Sequence, residues 1–205
     1  MEMPSAIHNL FSTVRPGRLI FPLLILLSFP TVSLTQDLPD KILGYKVHSP
    51  AISITNSDQD PAREKKGDAS ISVGNPDLLD VSLAGIKLSV SAVITSLSQS
   101  GKVDFLTFND FRVNNIPVEI EKYDESFSFN KNEPINLPKP AILLIPAQQI
   151  LKATWSEVKG SKKEWTVTGR VFVFGKFRKL GFNFKRAVPV DINLKIKNPL
   201  IQKAP

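Results

Sequence analysis

Seven cations stand in one stretch near the end of the chain. Lys176, Arg178 and Lys179 fall at an expected hairpin turn, and Lys185 and Arg186 end its return strand. Lys195 and Lys197 share the wet side of the last strand. Gathered on one surface, these residues would hold anionic lipid or another envelope polyanion by its phosphates. The competing assignment is a solvated face whose lysines keep strand edges from pairing with other molecules. Nucleic acid fits poorly: stacking on bases needs exposed aromatics interleaved with the charge.

Acid–base chemistry leans most on histidine. The chain has two, His8 and His48, and His8 falls inside an expected export segment. No G-x-S-x-G elbow, H-E-x-x-H pair or phosphate-cradling glycine loop occurs. Carboxylates would have to serve. Asp77 and Asp80 flank Leu78-Leu79, and Asp104 and Asp110 bracket an aromatic stretch. Glycosidic chemistry needs two carboxyls within several ångströms of each other, and nothing in the spacing brings a pair so close. Asp77 and Asp110 suit local turn bonds instead. Asp58-Gln59-Asp60 falls short of a calcium loop. The expectation is a protein without catalytic residues, cofactor or metal.

Phe172 and Phe174 alternate with Val171 and Val173, so this strand is apolar on both faces. Either a helix or a proline-rich segment covers the second face, or the two phenylalanines line an open groove for a lipid or a partner chain.

The elements that must position these residues follow from alternation. Val188, Val190, Ile192, Leu194 and Ile196 alternate with Pro189, Asp191, Asn193, Lys195 and Lys197, the period of a strand with one dry face. The same pattern recurs at Ala69/Ile71/Val73, at Leu88/Val90/Ala92/Ile94 and at Val118/Ile120. Gly175-Lys176 leads to a return strand of Leu180, Phe182 and Phe184, predicting a hairpin. Ile150, Leu151, Thr154, Trp155 and Val158 recur at helical spacing, predicting a helix over 147–158 with Gly160 beyond its end. Eight or nine short strands without a βαβ rhythm predict an all-β antiparallel sandwich of the fibronectin or immunoglobulin kind, with one short helix.

Composition narrows the class. The chain has 205 residues and no cysteine, which excludes disulfides, thiolate metal sites and a thiol nucleophile. Arg15 and Arg18 precede a mostly apolar run from Leu19 to Leu34. Residues 1–35 therefore read as an export signal, with an uncleaved anchor as the alternative. Residues 36–68 read as a lead-in strand and a mobile charged loop, and 69–205 as the sandwich. Charge is lopsided: residues 159–205 hold twelve Lys and Arg against two acids. That asymmetry suits an anionic partner, or a sheet in which the two parts of the chain neutralise each other.

Several short motifs resemble a known family. Asn75-Pro76 ends a strand, Leu83-Ala84-Gly85-Ile86 follows, and the Leu88/Val90/Ala92 strand comes next. Ile116-Pro117, then Gly169-Arg170-Val171-Phe172-Val173, then Val188-Pro189-Val190 continue in order. Residues 69–197 are thereby similar to the second-subgroup late embryogenesis abundant domain, also called the water-stress and hypersensitive-response domain. The resemblance implies a fibronectin-like sandwich with a non-enzymatic role in desiccation or stress protection. The expected function is an exported structural or protective envelope protein that touches anionic surfaces through its basic residues. The alternative is a module that binds a lipid or another hydrophobic ligand.

Overall fold

Alternation along the chain is answered by pleated layers. The computed structural model describes residues 38–57, 67–152 and 163–201. The signal or anchor, residues 58–66 of the charged loop and the second half of the expected helix lie outside the described residues. In chain order the elements are β1 (Lys41–Ile42), β2 (Tyr45–Val47), β3 (Ile52–Asn56), β4 (Ala69–Val73), β5 (Asp77–Ser82), β6 (Gly85–Val90), β7 (Ala92–Ser96) and β8 (Ser100–Val113). Then come β9 (Ile116–Pro117), β10 (Glu119–Ile120), β11 (Phe127–Phe129), β12 (Pro134–Asn136), β13 (Ala141–Pro146), α1 (Ala147–Lys152), β14 (Glu164–Lys179) and β15 (Phe182–Lys197).

One layer is a seven-stranded sheet in the order β1-β2-β15-β14-β8-β11, with β9 on β8. Its backbone is the β14–β15 hairpin, paired without a slip from Glu164↔Lys197 to Lys179↔Phe182. The facing layer is broken into two four-stranded sheets, β10-β13-β6-β5 and β12-β7-β4-β3. The break follows one line across three chain passages: Gly74-Asn75-Pro76 between β4 and β5, Ser91 between β6 and β7, and residues 137–140 between β12 and β13. Gly74 donates its N–H to the Ser91 carbonyl at 2.8 Å. A Cβ on Gly74 would stand 2.5 Å from the Ser91 hydroxyl, so the seam is tight where the two strands cross it. The motif pair Asn75-Pro76 therefore serves as the bend that passes the chain from one half-sheet to the other, with Pro76 fully buried.

Each half-sheet has its own core against the long sheet. Ile86, Leu88, Leu143 and Ile145 pack on Val113, Trp165, Val167 and Ile196. Ile52, Ile54, Ile71 and Ile94 pack on Val103, Leu106, Phe177, Val188 and Val190. The lead-in residues belong to the sheets as well: β3 pairs in parallel with β4 and β2 in parallel with β15. The sandwich thus begins ahead of residue 69.

A third cluster sits on the outer face of the long sheet, where Phe105, Phe172, Phe174 and Ala187 gather under Tyr45. Two consecutive β8 residues, Asp104 and Phe105, reach that face because a register shift interrupts the pairing with β14 between Phe174 and Gly175.

Candidate functional site

Strand parity first separates the seven cations. Lys176 pairs with Lys185, Arg178 with Asn183 and Lys179 with Phe182. Parity puts Lys176, Arg178 and Lys185 on the outer face, and Lys179 and Arg186 on the inner one, in line with Phe177 and Val188. Lys195 and Lys197 lie opposite Thr166 and Glu164, about 33–40 Å along the strand from Lys185 at ~3.3 Å per residue. Lys195 stands 3.8 Å from Glu164. The structure gathers five of the seven at the free end of the hairpin and leaves the last two at the far end.

The outer phenylalanines are covered. A groove there would need both rings open to solvent; Phe174 is 1% exposed and Phe172 is half-buried. The cover is neither α1 nor the proline-rich segment but the β1–β2 hairpin, chiefly Tyr45 of β2. Tyr45 meets Phe174 edge-on at 5.2 Å and Phe105 at 6.0 Å, while Phe105 and Phe174 stack at 4.6 Å. The Tyr45 hydroxyl donates to Asp104 Oδ2 at 3.0 Å. Burial, then the Asp104 carboxylate, pushes the Tyr45 phenol above its ordinary range. Lys185 Nζ lies 4.2 Å from the centre of the same ring.

The open apolar space lies on the other side of the sheet. Where the facing layer is broken, a gap of about 130 Å³ separates it from the long sheet. Every lining residue is Ile, Val, Leu, Phe, Ala or Pro. Val73, Val90, Ala92 and Ala141 border the break on one side of the gap, and Phe108, Phe111, Val171 and Ile192 line it from the long sheet. All eight are apolar and point inward, yet all are only half-buried. Gly169 keeps the floor low: the Phe111 ring lies on it, and a Cβ there would come within 2.6 Å of that ring.

Two further spaces continue the gap towards the hairpin end. The first, about 70 Å³, shares Ile71, Ile94, Val173 and Val190 with it. The second, about 160 Å³, shares Gln99, Phe177 and Val188 with the first, and its rim is His48, Lys179, Phe184 and Arg186. The run changes from wholly apolar to basic as it nears the surface. His48 is thus an exposed residue at this rim, its backbone N–H bonded to the Ala187 carbonyl at 3.0 Å.

Among the described residues, the acids singled out from the sequence do not converge. Asp104 is engaged by Tyr45, and Asp110 occupies a positive-φ position in β8 (φ 50°). Asp77 and Asp80 are exposed on β5. Among the described residues, no three His, Asp or Glu side chains group as a metal site. Sequence reasoning missed the gap, because periodicity reports which side chains turn inward and not whether the opposite layer reaches them.

No family model matches the chain, and no curated protein matches it. The likeness to the water-stress and hypersensitive-response domain rests on its short motifs alone. A crystal structure of a protein from Archaeoglobus fulgidus is similar over 62% of this chain and 94% of that chain, at 9% identity and a TM-score of 0.37. Likeness at that level carries no functional information.

Proposed function

We propose that this chain is a non-enzymatic binding module for a single apolar chain, of the acyl or alkyl class, held between the long sheet and the broken layer. The observation that carries the reading is the wholly apolar gap of about 130 Å³, floored by buried residues such as Leu88, Val113 and Val190 and bordered by inward-facing residues that stay only half-buried. A cavity of ~150 Å³ lined by Leu, Ile and Phe stays dry and takes up benzene in a well-studied lysozyme variant. This gap, with the adjoining space, accommodates a comparable stretch of hydrocarbon. Left empty, it forfeits contact worth on the order of 3 kcal/mol, at ~24 cal/mol per Å³. An alkyl chain recovers that contact without asking the wall for any hydrogen bond. Export directed by residues 1–35 would set this activity in the envelope or outside the cell.

The test is titration of the full chain with a fluorescent alkyl-chain probe, alongside native mass spectrometry of the purified protein. One probe per chain is the expected stoichiometry, and Ala92→Phe, which fills the gap, lowers affinity more than about tenfold while the fold still melts cooperatively. Equal binding by both forms, or binding by neither, overturns the proposal.

A further inference from the structure

The free end of the β14–β15 hairpin carries greasy side chains into water. Leu180 is 90% exposed, Phe182 69% and Phe184 38%. Because Lys46 of β2 pairs in parallel with Arg186 of β15, the β1–β2 turn lies at the same end, and its Leu43 is 69% exposed. Clustered exposure of this kind marks an interaction surface. The backbone points the same way. Leu180 and Gly181 both have positive φ, 52° and 83°, the two-residue turn for which Asn-Gly is the natural choice. Leucine is strained in that conformation, and at 90% exposure its side chain gains little burial to compensate.

Behind the tip stands a row of like charges. Lys102, Lys176 and Lys185 lie side by side across β8, β14 and β15, with Lys176 directly opposite each of the others. Such a row weakens a sheet. Among the described residues, none of the three has a carboxylate within ion-pair distance. Residues 171–190 contain five Lys and Arg and no acid at all.

We infer that this end docks on an anionic lipid bilayer. Leu180 and Phe182 enter the boundary between head groups and acyl chains, and the lysine row meets the head-group phosphates. A dissolved polyanion would answer the lysines but leave the apolar tip in water, whereas a bilayer answers both. The inference uses residues outside the central gap and stands whether or not a chain occupies it.

The absence of cysteine makes the test direct. Asn183→Cys places one environment-sensitive fluorophore beside the tip of the full chain, and Leu83→Cys places it on the fully exposed β5–β6 turn, which packs with α1 at the other end. Both are mixed with phosphatidylcholine vesicles, with and without phosphatidylserine. The expected result is a blue shift at 183, only with phosphatidylserine, quenched by bromine on the lipid chains, and no shift at 83. Leu180→Ser with Phe182→Ser abolishes the shift. Lys176→Glu with Lys185→Glu weakens it roughly tenfold or more, since each cation near an anionic surface carries about that order of effect in pairs. Vesicle binding without a shift at 183 places the attachment elsewhere and overturns the inference. So does indifference to lipid charge, or heparin capturing the protein where vesicles do not.

Discussion

The two faces of β14 began as equals and ended differently. On the outer face Phe172 and Phe174 lie under Tyr45, ring against ring, with Phe174 fully buried. On the inner face Val171 and Val173 look into a gap and stay only half-buried. Composition does not separate them, since phenylalanine on one side and valine on the other both belong in a core. Coverage does. A three-residue strand and a tight turn suffice to close the outer face, whereas eight strands leave the inner one open because their layer breaks at Gly74, Ser91 and residues 137–140. Closure depends on where a neighbour bends, more than on how much chain is nearby.

Substitutions on the two faces should therefore cost different amounts. Phe174→Ala removes a fully buried ring and is expected to lose about 3–5 kcal/mol of unfolding free energy in a denaturant melt. Phe108→Ala, on the gap wall, is expected to lose clearly less, about 1–2 kcal/mol, because the ring is only partly buried. Equal losses would mean that the gap is closed in solution. Tyr45→Phe keeps the ring and deletes the bond to Asp104, for an expected loss of about 1–2 kcal/mol.

The same substitution carries a pH signature. The folded phenol binds its proton more tightly than the unfolded one, as its raised pKa requires. Its contribution is thus complete below the ordinary phenol range and is lost as pH rises through that range, from about pH 10 upward. Tyr45→Phe should flatten part of the alkaline fall in melting temperature. The remainder belongs in part to Tyr123, whose phenol burial also pushes up. The smallest effect is expected at the lysine row. Lys176→Glu sets an acid between Lys102 and Lys185 and should raise stability by about 0.3–1 kcal/mol, lost again in high salt.

Much of the architecture was legible from residue order. The alternation at Val188–Ile196, the hairpin before it and the bend at Asn75-Pro76 all depend on local stereochemistry, which a sequence displays directly. The cover over Phe174 was not legible, because Tyr45 reaches it through a parallel pairing of residues about 140 apart in the chain. The basic residues were legible as a set, but parity splits them between faces, and strand length carries Lys195 and Lys197 to the opposite end. The gap was invisible for a different reason. Val73, Val90, Ala92 and Ala141 look like ordinary core residues, and only the shared line of the breaks turns four short side chains into the border of an apolar gap.

Leu180 also bears on how the protein is handled. A turn that bends leftward through a branched aliphatic residue sacrifices folding free energy, about 1 kcal/mol against asparagine. Leu180→Asn is therefore the variant to prepare for concentrated solution work: it should melt later, stay monodisperse at higher concentration and crystallise more readily.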